Sequence, residues 1–453
     1  MKKNTYLVSS LFALAVTLPF TNATAQTYDI KTIAGNGTAG FAGDNGNATA
    51  AELNNPSGVC ADASGNIYVA DVSNNRIRMI TSSGLITTIV GNGTAGFAGD
   101  NGAATAAELN GPSGVCFDLS GNLYIADEGN YRIRKVTTAG IITTVAGNGT
   151  KGYAGDNAAA TAAKLNNPSG VAALDVAGNL YIADQDNNRV RMVSAGGTIT
   201  TVAGNGSYGY SGDNAAATAA ELAVPMGVAL DASGNLYIAD NSNSRIRKVS
   251  TGGTITTVAG NGTAGMAGDN GAATAAKLNY PEGVAVDKSG NIYIADFSNS
   301  RVRMVNTAGT ISTIAGDGSF GFTGDNGPAA NAELNYPAAV TADLNGNIYL
   351  ADLDNERVRE LTIVSGINEV SLANSSVKIS PNPNNGAFIV SLQQVNSMAK
   401  IEVYNIIGEE VYQATVNPNT TQVNMGSAVA GIYLYRVLTL NGALAGSGKF
   451  IVH

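Results

Sequence analysis

The sequence predicts an all-β protein, in which a six-bladed β-propeller is followed by a small β-sandwich domain. Three observations lead to this fold class: a set of motifs that recurs six times, strand patterns inside each repeat, and a change of composition after about residue 366. The chain has 453 residues, which suits two or three domains. We expect a signal peptide over residues 1–25, the propeller over residues 26–365 and the sandwich over residues 366–453.

The N-terminus has the pattern of a secretory signal peptide. Lys2 and Lys3 precede an apolar stretch over residues 6–20, and Ala23-Thr24-Ala25 has the small-x-small spacing of a cleavage site. About 15 apolar residues are too few to span a bilayer comfortably. No later stretch of the sequence is long and apolar enough to do so, so we expect export without a transmembrane segment.

Three motifs recur together six times. Tyr-x-Ala-Asp first ends at Asp71, and Arg-[Ile/Val]-Arg first begins at Arg76; both return every 56 or 57 residues. A Gly-Asp-Asn motif returns at the same intervals, with its aspartate at Asp44, Asp100, Asp156, Asp213, Asp269 and Asp325. Three motifs that stay in phase over six copies indicate a repeat architecture.

Each repeat contains four strand-like segments. In the first copy they cover residues 57–62, 66–71, 76–80 and 85–91, which are rich in β-branched residues or alternate between polar and apolar ones. Asp62 and Gly65 suit a tight hairpin between the first two. Four short antiparallel strands in each of six repeats predict the blades of a propeller.

The ring is predicted to close through the N-terminal end of the mature chain. A copy of the fourth strand occurs near Ile30, before the first complete repeat, whereas the last repeat has none after residues 357–361. Residues 29–35 are therefore expected to supply the outer strand of the sixth blade, which leaves no blade short of a strand.

The connection between repeats is about 20 residues long. Thr49 and Glu52 have the spacing of a capping box, which predicts one helical turn there. With residues 54–80, "NNPSGVCADASGNIYVADVSNNRIRMI", the repeat resembles an NHL repeat, and the connection at residues 34–53 resembles that of the extended bacterial NHL subfamily. The resemblance covers about residues 29–364 and implies a β-propeller.

Composition excludes several classes of function. The 25 basic and 34 acidic residues give a net charge of −9, which does not suit binding to nucleic acid or to an anionic membrane. The only histidine is His453, so the propeller holds neither a histidine-based triad nor histidine-bound zinc. Cys60 and Cys116 are too few for a disulfide framework; buried thiols are favoured over a disulfide between blades.

The charged residues of the repeat have two interpretations each. Arg76 and Arg78, with their copies, either form an anion-binding ring or bond to the aspartates equivalent to Asp71 and to backbone carbonyls; their presence in all six repeats favours the second interpretation. The aspartates equivalent to Asp44 either brace their loops or bind calcium. One carboxylate per loop favours bracing, so we predict no cofactor and keep calcium as the weaker alternative.

Positions that differ between the repeats are the candidates for binding a partner. They are the residue after the aspartate equivalent to Asp71, the residue before the loop proline, and an aromatic position first occupied by Phe41. The alternative is neutral drift on an exposed rim. The candidate binding residues are Glu128, Gln185, Tyr280, Phe297, Tyr336 and Leu353.

The C-terminal region resembles the type A sorting domain of type IX secretion cargo. The resemblance implies recognition by the type IX machinery, export through the periplasm to the outside of a Gram-negative cell, and removal of this domain with release or surface attachment of the rest. The matching residues are Pro381, Asn382, Pro383, Gly386, Gly431, Tyr433 and Lys449.

Together these observations predict a secreted or cell-surface propeller that acts as a scaffold for binding a protein or glycan, rather than an enzyme. The alternative is a hydrolase of the gluconolactonase type, which holds a divalent metal ion in the propeller channel. That chemistry needs carboxylates at some channel positions and not others. We expect the inner strands to offer only repeated small residues and no such carboxylate. A purely structural envelope component is a third possibility.

Overall fold

The computed structural model describes residues 27–172, 175, 177–364, 377–392, 398–405, 409–426, 428–440 and 444–452. The predicted signal peptide and His453 lie outside the described residues. The chain divides into two units, the first ending at Val364 and the second beginning at Ser365.

The first unit contains six antiparallel sheets in the described part of the chain, each with four main strands. In the first five sheets the strands follow chain order from the innermost to the outermost. Blade 1 contains Pro56–Ala61, Ile67–Asp71, Arg76–Ile80 and Leu85–Val90. Blade 2 contains Pro112–Phe117, Leu123–Asp127, Arg132–Val136 and Ile142–Ala146. Blade 3 contains Pro168–Ala172, Leu180–Asp184, Arg189–Val193 and Thr198–Ala203. Blade 4 contains Pro225–Leu230, Leu236–Asp240, Arg245–Val249 and Thr254–Ala259. Blade 5 contains Pro281–Val286, Ile292–Asp296, Arg301–Val305 and Ile311–Ala315.

The sixth blade takes its outer strand from the N-terminal end. Its first three strands are Pro337–Ala342, Ile348–Asp352 and Arg357–Ile363, and the fourth is Tyr28–Ala34. Tyr28 lies opposite Ile363 in the antiparallel pair. The predicted closing strand is confirmed. Across the same junction, the backbone N–H of Asn55 donates to Glu356 Oε2 at 2.6 Å.

The inner strand of every blade contacts the inner strands of both neighbouring blades, so the six sheets form a closed ring around a central channel. Inner-strand glycines allow this approach. A Cβ atom on Gly58 would collide with the carbonyl oxygen of Ser113 in blade 2, and one on Gly114 would collide with that of Ser169 in blade 3. The hydrophobic core lies between blades, where Ile77 of blade 1 shares a buried cluster with Ile125 of blade 2.

The long connections cross their blades from the outside to the channel. Four of them add a two-residue strand to an outer strand: Gly46–Asn47, Ala158–Ala159, Ala215–Ala216 and Gly327–Pro328. Each connection then forms a 3-10 turn: Ala48–Ala50, Ala104–Ala106, Ala160–Ala162, Ala217–Ala219, Ala273–Ala275 and Ala329–Asn331. The helical turn occurs, but the capping box is wrong. Thr49 lies inside the turn, and its N–H donates to the N-cap residue Asn47 at 3.0 Å.

A second set of 3-10 turns follows the second strand of each blade. They are Val72–Asn74, Glu128–Asn130, Gln185–Asn187, Asn241–Asn243, Phe297–Asn299 and Leu353–Asn355. Pro56 pairs with Asp71, so the long connection enters the inner strand at the same end of the blade as this turn. We call this end of the propeller the loop face.

The second unit consists of two antiparallel sheets. One contains Val377–Ser380, Ala387–Leu392 and Asn419–Asn424; the other contains Ala399–Tyr404, Glu410–Val416, Gly431–Thr439 and Leu444–Val452. Phe388 of the first sheet packs on Phe450 of the second, with ring centroids 4.6 Å apart. The two sheets therefore share one core, as in a sandwich. The predicted fold class is confirmed.

Candidate functional site: the loop face and the channel

The second arginine of each repeat is held between two carboxylates. Arg78 is fully buried; its Nη1 lies 3.0 Å from Asp71 Oδ2 and its Nη2 lies 2.8 Å from Asp44 Oδ1. Equivalent pairs occur in all six blades. The interpretation of these arginines as pairing residues is confirmed, and the pair with Asp44 adds a partner that the sequence did not predict.

The first arginine bonds to backbone carbonyls, as the same interpretation predicts, and so braces the connection. Arg76 donates to the backbone carbonyls of Asn74 at 3.0 Å and Asn92 at 2.8 Å, and the Phe41 ring lies 3.7 Å from its guanidinium carbon. A ring covers the equivalent arginine in four further blades; the rings belong to Phe97, Tyr153, Tyr210 and Phe322. Although the position of Phe41 differs between the repeats and was considered for binding, its ring has a role within the blade, because it stabilises the arginine pair by a cation–π contact.

The carboxylates considered for calcium are engaged by arginine. Asp44 Oδ1 accepts from both Nε and Nη2 of Arg78, and Asp156 also accepts from the hydroxyl groups of Thr201 and Tyr153. Among the described residues, no group of three or more His, Cys, Asp or Glu side chains lies close enough together to hold a metal ion. Calcium at these loops stays an untested alternative to the prediction of no cofactor.

The residue before the loop proline has a left-handed backbone in every blade. Asn55, Gly111 and Asn167 suit this conformation. Val224, Tyr280 and Tyr336 occupy the equivalent positions at φ values of 54°, 50° and 54°, where bulky side chains are disfavoured. Since the backbone favours Asn or Gly here, these three side chains are not explained by the turn itself.

Candidate residues of blades 5 and 6 form an aromatic cluster on the loop face. The rings of Phe297 and Tyr336 are stacked, with centroids 4.7 Å apart and planes at 29°. Phe320 lies 5.1 Å from Tyr336 and is 57% exposed. Leu353 joins the same region through its N–H, which donates to the carbonyl oxygen of Tyr336 at 3.3 Å. Tyr280, 48% exposed, precedes the inner strand of blade 5. Phe320 was not among the predicted residues.

The remaining two candidates lie elsewhere on the loop face. Gln185 begins the turn of blade 3, apart from the aromatic cluster. Glu128 begins the turn of blade 2 and lines a cavity of about 120 Å³ in the channel. The ring symmetry of the blades places the residues equivalent to Glu128 around the same channel mouth.

The channel cavity contains a second carboxylate, on the inner strand of blade 5. Glu282 lies one residue after the proline that begins this strand, and it lines the cavity together with Glu128. Burial, reinforced by the charge of Glu128, raises the pKa of Glu282 to about 8. Burial also raises the pKa of Glu128, and the charge of Asp186 adds to this, while a hydrogen bond from Ser113 opposes it.

The expectation that the inner strands offer no odd carboxylate is therefore wrong. The residue after the inner-strand proline points into the channel, and Glu282 is the only charged residue among its six copies. The other copies are Ser57, Ser113, Ser169, Met226 and Ala338. Aligning this one position across the repeats singles out Glu282 by its charge, but only the closed ring shows that the position faces the channel.

The residues matched to the sorting domain lie in the second unit. Asn382 Oδ1 accepts from the N–H of Ile451 at 2.9 Å, which ties the segment Pro381–Asn382–Pro383 to the last strand, where Lys449 also lies. Gly386 has a φ of 90°, which favours glycine. Gly431 begins its strand, and the Tyr433 hydroxyl donates to the carbonyl oxygen of Val429 at 2.8 Å. These residues support the fold of the unit.

Two sequence profiles match the chain. The teneurin NHL domain matches residues 34–95, 93–154, 208–267 and 262–321, together more than half of the chain. The secretion system C-terminal sorting domain matches residues 378–453. No helix among the described residues is long and apolar enough to span a bilayer.

Proteins similar to this chain occur in a plant and in a mammal. SUPPRESSOR OF QUENCHING 1 of Arabidopsis thaliana is 30% identical over 289 residues, which cover 61% of this chain and 27% of that protein. Teneurin-4 of Mus musculus is 28% identical over 353 residues, covering 70% of this chain and 12% of teneurin-4. This chain therefore matches only a minor part of these relatives.

A solved structure has the same fold. An auxiliary nutrient binding protein from Bacteroides ovatus superposes with a TM-score of 0.54 at 16% identity, covering 74% of this chain and 77% of that one. The six repeats, the closed ring and the two profile matches agree. The chain belongs to the family of NHL propellers that the teneurin NHL domain represents, and it ends in a secretion system C-terminal sorting domain.

Proposed function

We propose that the protein is exported and binds a protein or glycan on its loop face, with the contact centred on Phe297, Phe320 and Tyr336. The observation that carries the proposal is the aromatic cluster these residues form across blades 5 and 6. Aromatic side chains supply large, rigid contact areas and dominate many interfaces.

The cluster is not required by the blade. The other five blades build the same sheets with different residues at the position of Phe297, namely Val72, Glu128, Gln185, Asn241 and Leu353. Tyr336 occupies a backbone conformation that favours Asn or Gly. A bulky ring at a strained backbone position, stacked on a second ring, fits a binding surface better than a structural contact.

Export follows from the C-terminal sorting domain. We propose that the type IX machinery recognises this domain and that the propeller acts outside the cell, released or retained at the surface. The Bacteroides ovatus protein of similar fold is named as a nutrient binding protein, which agrees with a binding role.

A hydrolase of the gluconolactonase type is the second candidate, and the observation that favours it is the pair of channel glutamates. We propose that the protein acts by binding rather than by catalysis, because the exposed aromatic cluster on the loop face is explained by binding. Lactone hydrolysis that requires a divalent ion and is abolished in Glu282→Gln would instead establish the hydrolase.

Arrays of glycans and proteins, probed with the full chain, test the binding proposal. Phe297→Ala and Tyr336→Asn are each expected to weaken binding about tenfold or more, as loss of a central aromatic contact does. Val224→Asn is the matched control, because it makes the same backbone change in blade 4. A ligand bound equally well by the wild type and both cluster variants would contradict the proposal, and so would equal loss in Val224→Asn.

A further inference from the structure

The channel carries two carboxylates that the repeat does not require. Glu128 is the only acidic residue among the six that follow the second strand, and Glu282 is the only one among the six that follow the inner-strand proline. These are two different positions of the repeat, yet both side chains line the same cavity of about 120 Å³.

The two glutamates belong to opposite sides of the ring. Glu128 begins the turn of blade 2, and Glu282 lies on the inner strand of blade 5, three blades away in a ring of six. Both lie near the end of the channel that opens on the loop face, since each is next to the residue pair where the first and second strands of its blade meet. A group on the channel axis is therefore flanked by carboxylates on two sides.

No cationic side chain of the described cavity wall balances these charges, although Ser113 donates a hydrogen bond to Glu128. The described residues that line the cavity include no lysine or arginine, and the electrostatic influence on Glu282 comes from Glu128, a like charge. Glu282 accepts no hydrogen bond from the described part of the chain. Two carboxylates that share a confined space repel each other, and a cation between them removes that repulsion.

We propose that the channel binds an alkylammonium group, with Glu128 and Glu282 as its two acceptors from opposite walls. The wall also supplies hydroxyl groups, from Ser57, Ser113 and Ser169, and an apolar part formed by Met226 and Ala338. An ammonium group has three N–H donors, and its carbon chain suits the apolar part. The site goes beyond the proposed loop-face contact and does not depend on it.

A divalent metal ion fits this wall less well. Calcium takes six to eight oxygen ligands, and the described residues include no group of three acidic, histidine or cysteine side chains close enough for a metal. Two carboxylates, three hydroxyl groups and an apolar surface instead match a monovalent organic cation. The ammonium group belongs either to a free amine or to a lysine side chain of a partner, and the probes below distinguish these sources.

Proton release gives the site a second signature. With a pKa of about 8, Glu282 holds its proton at neutral pH and releases it when a cation binds. Glu128, and through it Asp186, are the other titratable groups that act on this pair. Affinity for an alkylammonium ion should therefore rise between pH 6 and pH 9, because the ammonium group stays charged over this range while Glu282 becomes ionised.

Titration calorimetry on the full chain tests the site with n-butylammonium chloride and Nα-acetyl-lysine amide as probes. We expect binding of one ion per chain, with proton uptake by the buffer, and about tenfold weaker binding in Glu282→Gln. Asp29→Asn, which removes one exposed charge from the closing strand, is the control and should bind like the wild type. Preference for the lysine derivative, with no binding of its Nε-acetylated form, would assign the source to a protein partner.

Three outcomes would overturn the proposal: no binding of either probe, equal binding by Glu282→Gln, or displacement of the probe by stoichiometric Ca²⁺ whose binding requires Glu282. Thermal unfolding gives a check that needs no ligand and shows that the variant folds. Because the folded chain holds the proton of Glu282 up to about pH 8 and the unfolded chain releases it near the ordinary glutamate pKa of 4.5, wild-type stability should fall between about pH 5 and pH 8, and Glu282→Gln should lessen this fall.

Discussion

The blade interior keeps the same charged residues in all six repeats, whereas the channel mouth carries a different residue in each repeat. Inside the blades, the six copies of Arg78 are all fully buried and all lie beside the same aspartate. Around the mouth, the six residues that follow that aspartate are all different. The repeats therefore act as an internal alignment, in which identity marks what a blade needs and difference marks where the ring has been adapted.

Difference alone does not identify a binding residue. The position of Phe41 varies between Phe, Tyr and Met, yet its ring covers an arginine in five blades. The position of Phe297 also varies, and there the side chain faces the loop surface and stacks on a residue of the next blade. Variation alone therefore does not separate a structural side chain from a binding one, and the contacts that the side chain makes have to decide.

Removing an interior arginine should have the largest effect. Arg78→Ala leaves the carboxylate of Asp71 buried without its cation, so the free energy of unfolding should fall by about 3–5 kcal/mol. Urea unfolding of the propeller, followed by circular dichroism, measures it. Lys288→Ala, at an exposed lysine that donates to a backbone carbonyl, is the control and should change the free energy by less than about 1 kcal/mol. Similar values for both would mean that the interior network does not stabilise the blade.

The junction between the last and first blades should be the next most sensitive point. Glu356→Ala removes the carboxylate that accepts from the N–H of Asn55, and we expect a loss of about 1.5–3 kcal/mol in the same unfolding experiment. Glu356→Asn should retain most of the stability, because Asn75 and Asn188 make the equivalent bond between other blades. Equal losses in both variants would show that the side-chain bond is not what matters there.

The sequence predicted the parts of the molecule that repeat. Three motifs that stay in phase over six copies predicted the six blades, and the unpaired strand near Ile30 predicted the closure, because strand patterns and copy number are local properties of the chain. Glu282 was missed for a different reason. Whether an inner-strand side chain faces the channel or the neighbouring blade depends on how the ring closes, and residues in Pro-Glu-Gly look like a turn until the strand is placed. Phe320 was missed because its loop position carries Ala39 in the first repeat and gives no aromatic pattern.

Relieving the backbone at the loop prolines should raise stability. Val224→Asn puts a residue that tolerates a positive φ where a β-branched one now stands, and we expect a gain of about 1 kcal/mol in thermal or urea unfolding. Val224→Ala is the control, since alanine also disfavours this conformation and should give no such gain. Tyr280→Asn should gain a similar amount; a loss there would mean that the tyrosine ring stabilises the blade, contrary to its proposed role on the loop face.

Substitution of the two cysteines should show the smallest effect. It tests whether a position can differ between the repeats without a functional consequence. Cys60 and Cys116 are free and buried on neighbouring inner strands, and burial raises the pKa of both thiols. Neither should react with a thiol reagent at pH 8 until the propeller unfolds, because the reactive thiolate is scarce and enclosed. Cys60→Ala introduces the residue that stands at Ala229 and Ala285 in other blades, so it should cost about 1 kcal/mol or less. Fast labelling of the folded chain would instead show that these thiols are accessible and reactive. The cysteine position would then be a functional difference between the repeats, as we propose for the channel glutamates.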